Sequence, residues 1–185
     1  YIASSAHFAG YKVIGLARNV NHEEPFEIKK CNVTDHKEVK TVFKSIKSEE
    51  NLYGLINAAG VASMNLFLST PPETMRHIIE VNLLGTMYCS SVMGKALAKQ
   101  KIGRIINFST IAVELGLKGE VAYIASKSGV EGFSRAFARE MADFNVTVNT
   151  IAPGPIQTDL IKNVPEEQIS KVVSEQVIQR MGTFD

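Results

Sequence analysis

Four short, mostly apolar runs recur along the chain: YKVIGLA (11–17), LYGLIN (52–57), GRIINFS (103–109) and VTVNTIA (146–152). A strand with one wet face alternates apolar and polar residues; a strand that is apolar along its length needs cover on both faces. Parallel sheets provide that cover, because each crossover between neighbouring strands brings a helix. The segments between the runs have helical character. In 34–50 Asp35 is placed to cap a helix, with Glu38 three residues on. Thr70, Pro71 and Glu73 form the expected start of a long helix that continues to about residue 100. From Ala122 to about Asp143, Val130, Phe133, Phe137 and Met141 recur at three- and four-residue steps. A weaker strand, FEIKKC, occupies 26–31, Gly10 is placed to close a first helix, and PEEQISKVVSEQVIQRM reads as a last one. With no repeat and no linker, the expectation is a single α/β domain over 1–185, its parallel sheet lying between helices.

Composition excludes several classes. A net charge of +1 over 185 residues gives no basic surface for nucleic acid. No apolar run approaches the roughly 20 residues that span a bilayer. Cys31 and Cys89 have neither metal spacing nor a disulfide framework, which makes a reducing cytoplasm the simplest setting. His7, His22, His36 and His77 show no paired metal-ligand spacing and read as surface or packing residues, so no metal is expected.

In an open parallel sheet, ligands bind beyond the carboxyl ends of the strands. The small and polar residues of this chain gather there, with FEIKKC counted as the second strand: Arg18 after the first strand, Asn32 after the second, Asn57 to Gly60 after the third. Ser109 and Thr110 follow the fourth, and Pro153 to Thr158 the fifth. Tyr123 and Lys127 stand four apart, so on a helix they share a face. An ammonium near a phenol favours the phenolate and draws its pKa down toward the range of a general acid or base. The spacing alone also belongs to ordinary exposed helices.

Order and spacing together decide between these readings. NAAG (57–60), Asn82 in EVNLLGT, INFST (106–110), YIASK (123–127) and NTIAPGPIQTDL (149–160) occur in the sequence of the short-chain dehydrogenase/reductases. The chain resembles that family over essentially its whole length, and is closest in style to the 3-oxoacyl-[acyl-carrier-protein] reductases. The resemblance implies a Rossmann-like, doubly wound, three-layer α/β/α fold. It places a further strand with a Gly-rich loop between the strands at 11–17 and 52–57, and a helix and strand after the last residue. On that basis the gene product is expected to extend past both ends. It also implies a tetramer built on the long helices, with Phe133 and Phe137 shared between core and interface readings.

By the same resemblance Tyr123 protonates a substrate carbonyl while hydride arrives from a nicotinamide, and Lys127 lowers the tyrosine's pKa and bonds the ribose. Asn82 holds a water through its helix backbone. The orienting hydroxyl falls thirteen residues before the tyrosine, at Thr110 rather than the adjacent Ser109. A threonine donates the bond that serine would, with an added methyl that restricts χ1. Ala58 departs from the family's usual asparagine. The implied cofactor contacts are Arg18, Asn32, Val33, Asn57, Ala58, Gly60, Tyr123, Lys127, Pro153, Gly154, Ile156 and Thr158. NAD-dependent relatives carry an acid after the second strand; here LARN (16–19) offers Arg18 for a 2′-phosphate, favouring NADP(H) over NAD(H). Val113, Leu115, Leu117 and residues 160–181 are expected to line a mainly apolar pocket. The expected activity is NADPH-dependent reduction of a 3-oxoacyl thioester or similar ketone. An alcohol or sugar dehydrogenase, or a silent NADP-binding protein, stands as the alternative. Lys101 is a candidate dock for an acyl carrier protein, though Phe144 stands where a basic residue would help.

Overall fold

The computed structural model describes residues 1–20, 23–49, 52–162 and 164–184. His22, Glu50 at the end of the helix expected over 34–50, and Asn163 within 160–181 lie outside them.

The elements alternate as expected: α1 (Ile2–Phe8), β1 (Ile14–Ala17), β2 (Glu27–Lys30), α2 (His36–Glu49), β3 (Gly54–Asn57), α3 (Pro72–Ile79), α4 (Gly85–Gln100) and β4 (Gly103–Phe108). Then come α5 (Ala112–Leu115), α6 (Val121–Ala142), β5 (Val146–Ile151) and α7 (Glu166–Ser174). All strand pairs are parallel. They form a two-stranded sheet, β1–β2, and a three-stranded sheet in the order β3–β4–β5. This is a Rossmann-like α/β fold.

Each strand is shorter than its apolar run, because the flanking residues belong to turns. Gly10, at φ +90°, ends α1 in a Schellman arrangement, with Tyr11 N–H bonded to the Ala6 carbonyl and Gly10 N–H to that of His7. Asp35 caps α2 through Lys37 N–H at 2.8 Å and Glu38 N–H at 3.2 Å. The start expected for the next helix is displaced by one residue. Thr70 closes a preceding 3₁₀ turn, its hydroxyl donating to the Leu66 carbonyl, and Pro71 takes the cap position without a side-chain bond. The last helix stops at Ser174, well short of Met181.

Helix α2 packs on α4 and α4 on α6; α4 lies against β3 and β4, and α6 against β4 and β5. Between this helical layer and the strands sits the core: Cys31, Val39, Phe43, Cys89, Met93, Leu97, Ile105, Met141, Val146 and Val148. Both cysteines are free and buried there. The core joins β2 and α2 to the three-stranded sheet through α4. Along β5, Val146 and Val148 are buried beneath α6, whereas Thr147, Asn149 and Ile151 face outward. No helix among the described residues is long and apolar enough to cross a membrane.

Candidate active site

Helix α6 runs past the carboxyl end of β4 and grips it twice. Lys127 Nζ donates to the Phe108 carbonyl at 2.8 Å, and the Ser109 hydroxyl donates to Glu131 Oε1 at 2.5 Å. Lys127 and Glu131 are four apart, so both grips come from one face of the helix. Glu131 also pairs with Arg135 at 3.6 Å. With Ser109 held toward Glu131 and only 3% exposed, the other hydroxyl at the strand end, Thr110, is the one that reaches the phenol. Tyr123 is hydrogen-bonded by the Thr110 side chain, and Lys127 Nζ lies 5.9 Å from the centre of the Tyr123 ring. The threonine is itself fixed, since its hydroxyl accepts the Ala112 amide at 3.2 Å. Thr110, Tyr123 and Lys127 thus converge at one strand end.

Burial dominates the electrostatics here. It raises the Tyr123 pKa; the bond from Thr110 works against that rise and the charge of Glu120 adds to it. Burial also pulls the Lys127 ammonium down to about 8. The phenol's net shift is therefore upward, opposite to the lowering by Lys127 expected from the spacing. Taking both groups out of water disfavours both charged forms.

Asn82 sits, fully buried, inside a π turn (Glu80–Leu84) that joins α3 to α4. Its side-chain amide is fully engaged. Oδ1 accepts Val61 N–H at 2.8 Å, and Nδ2 donates to the Val61 carbonyl and the Ser126 hydroxyl, each at 2.9 Å. It ties the loop after β3 to α6. Gly60 is thereby held with its Cβ position 3.7 Å from Lys127 Nζ and 3.5 Å from Asn82 Oδ1. The Asn82 backbone carbonyl accepts the Thr86 hydroxyl at 2.8 Å.

The side chain of Asn57 turns into the core. It donates to Ser90 Oγ at 3.0 Å and to Asn107 Oδ1 at 2.8 Å, while Asn107 Nδ2 donates to Ser134 Oγ at 2.8 Å. This buried chain crosses from α4 through β3 and β4 to α6. Ala58 to Gly60, which follow Asn57, are exposed. Pro153 joins the site through its carbonyl, which accepts the Ile111 amide at 3.1 Å. Gly154 lies instead beside Gln176, and Ile156 is bridged to Gly182 beneath the C-terminal segment; Thr158 begins the following 3₁₀ turn. Arg18 is exposed just after β1. After β2, Asn32 closes a turn by accepting Thr34 N–H and Oγ1–H, and Val33 packs on Gly85. No bond brings Arg18, Asn32 or Val33 to Tyr123 among the described residues. A cleft of about 540 Å³ opens between Gln157, Ile161, Val164, Ile169, Val173 and Met181, but Val113, Leu115 and Leu117, expected to share one pocket with 160–181, do not line it. Neither Tyr123, Lys127 nor Thr110 lines it.

Sequence reasoning missed Ser126, Glu131, Asn107 and Glu120. The first three complete hydrogen bonds across distant segments. Glu120 carried one usable signal, its place one turn before the tyrosine.

A dinucleotide fits this set. Lys127 is buried, and its one hydrogen bond among the described residues goes to Phe108, so two N–H groups are left to meet the hydroxyls of a ribose. A parallel α/β sheet with a phenol, a hydroxyl and an ammonium at one strand end is the site of an oxidoreductase fold. The chain belongs to the short-chain dehydrogenase/reductase family: a family model described as enoyl-(acyl carrier protein) reductase matches residues 2–185. It is 33% identical over 171 residues to carbonyl reductase family member 4 of Xenopus laevis, covering 88% of this chain and 72% of that one. With the 3-oxoacyl-[acyl-carrier-protein] reductase FabG of Escherichia coli it shares 32% over 190 residues, covering 98% of this chain and 78% of FabG. Its span of the Haemophilus influenzae FabG, at 34% identity and 82% of this chain, is 63%. Among solved structures, ligand-free aldohexose dehydrogenase of Thermoplasma acidophilum superposes with a TM-score of 0.87 at 28% identity, over 98% of this chain and 75% of that one. ElxO with NADP bound gives 0.85 at 26%, over 98% and 80%.

Proposed function

We propose that this protein reduces a ketone to a secondary alcohol with NADPH, Tyr123 being the acid. The observation that carries the proposal is the convergence of Thr110, Tyr123 and Lys127, with Ser109 committed elsewhere. The Thr110 hydroxyl hydrogen-bonds the carbonyl oxygen and holds it against the phenol; Tyr123 delivers the proton as negative charge develops there. A nicotinamide, when bound, supplies the two electrons and the hydrogen. Lys127 directs its two remaining N–H groups at the ribose hydroxyls, and Gly60 keeps the wall beside it free of a side chain. Asn82 positions that wall through Val61, while its backbone carbonyl takes a water that reloads the phenol. Arg18, exposed after β1, meets a 2′-phosphate as a bidentate partner, with Asn32 and Val33 beside the adenine end and the backbone of Asn57, Ala58, Pro153, Gly154, Ile156 and Thr158 along the rest.

Two substrate groups suit such a site. The names of the FabG relatives favour a 3-oxoacyl thioester, with an acyl carrier protein as donor. The aldohexose dehydrogenase of Thermoplasma acidophilum, whose fold superposes over 98% of this chain, favours a sugar, the alternative reading. A single domain in a cytoplasmic homotetramer completes the proposal. The test is NADPH oxidation with acetoacetyl thioesters and a ketone panel. Tyr123→Phe should lower kcat by roughly 10²–10⁴-fold with NADPH binding retained; equal rates in the two proteins would remove the acid from its role.

A further inference from the structure

Beyond α7 the chain returns to the loop that follows β5. Gly182 N–H donates to the Pro155 carbonyl at 2.9 Å, and Ile156 is bridged to Gly182. The other end of that loop meets the active site, since the Pro153 carbonyl accepts the amide of Ile111, the residue after Thr110. Gly154 lies between these two ties and is exposed. Gln176 reaches it from the returning segment: a Cβ on Gly154 would stand 3.4 Å from Gln176 Oε1 and 4.0 Å from Nε2. The glutamine's backbone amide donates to the Val173 carbonyl at 3.1 Å. Its Nε2 is buried and, among the described residues, has no hydrogen-bond partner. The next two residues are placed the opposite way, Val177 fully exposed and Ile178 largely so.

Burial of apolar surface alone would choose the reverse, with valine and isoleucine inward and the amide in water. An enclosed amide N–H without a partner is costly, so the inward glutamine calls for an acceptor that the described residues do not provide. The last torsion of the side chain is soft, and turning it brings the nitrogen to the place that the oxygen now holds beside Gly154. The amide can thus offer a donor or an acceptor at the edge of an exposed glycine. We infer that Gln176 is a cofactor-binding residue, its side-chain amide donating to the carboxamide oxygen of a nicotinamide that lies against Gly154. This rests on the NADPH reading above. A carboxamide answers both ends of a glutamine side chain, whereas a ketone answers only the donor and is already held between Thr110 and Tyr123.

Calorimetric titration of the full-length protein with NADPH, and with adenosine 2′,5′-bisphosphate, tests this. The bisphosphate is the cofactor without its nicotinamide half. Gln176→Ala should weaken NADPH about three- to tenfold, the range of one neutral hydrogen bond, and leave the bisphosphate within about twofold. Gln176→Met keeps the length and loses the donor; it should show the same split, and it serves if the alanine variant does not fold. NADPH affinity equal in wild type and variants overturns the inference and leaves the NADPH reading intact. An equal loss for both ligands overturns it as well, because the change then acts away from the nicotinamide. So does unchanged NADPH affinity with a raised KM for the ketone, which would move the amide to the substrate. A wild type that binds no NADPH overturns both readings.

Discussion

Ser109 and Thr110 are adjacent hydroxyl residues at one strand end, and their neighbours divide their work. The bond from Ser109 to Glu131 is partly buried and charge-assisted, so it anchors the strand end to α6; Thr110 is left to face Tyr123. Removing each hydroxyl should therefore have different consequences. Thr110→Val keeps the shape and loses the donor, and kcat should fall about 10²-fold or more, whereas Thr110→Ser should stay within about tenfold of wild type. Ser109→Ala should leave kcat within about tenfold but lower unfolding stability by about 1–3 kcal/mol, since Glu131 loses a buried partner. Steady-state NADPH consumption and a urea midpoint on the same preparations check both halves. A Ser109→Ala variant with the kinetic defect, and a Thr110→Val variant without it, would reverse the assignment.

At the scale of elements, packing between α4 and the start of β4 is close enough to predict from. A Cβ on Gly103 would stand 2.7–2.9 Å from Cδ1, Cδ2 and Cγ of Leu97, which is itself fully buried. Because the clash involves Cγ and not only the tip of the side chain, Leu97 has no easy escape. Gly103→Ala should cost about 1–3 kcal/mol, read as a lowered thermal midpoint, with the kcat of the folded enzyme unchanged. That contact was not legible in the sequence, and the reason is general to this chain. Periodicity identifies which elements exist, and local chemistry such as Asp35 or Gly10 identifies where some begin and end. Thr70 misled because a proline follows it at two positions, and the 3₁₀ turn before them claims the hydroxyl. The π turn at Asn82 leaves no mark on the apolar pattern. The Asn57–Asn107 pair joins residues 50 apart in sequence, so nothing local to either betrays the partner. The convergence of Thr110, Tyr123 and Lys127 was legible through the family resemblance, because the Tyr123–Lys127 spacing alone also occurs on ordinary exposed helices.

The whole molecule answers to pH through Lys127. Its pKa is lowered from 10.5 to about 8 by burial, so below about pH 8 the folded protein carries a charge that the interior disfavours. From about 8 to 10.5 the unfolded chain binds the proton and the folded one releases it. Stability contributed at this site therefore rises with pH across that window. Tyr123 acts in the other direction, but its raised pKa begins at 10.0, so its contribution remains constant below about pH 9.5. Between pH 8 and 9.5 the lysine alone should add on the order of 2 kcal/mol, the equivalent of one and a half pKa units. Lys127→Met removes the titration and leaves the rest of the protein's pH response in place. The wild type should therefore gain stability relative to the variant as pH rises from 7 to 9.5, with most of the gain above 8. Urea unfolding of both proteins at each pH gives the difference directly. A difference that stays flat across the range would mean that Lys127 keeps its ordinary pKa, solvated or paired in a way this fold does not provide.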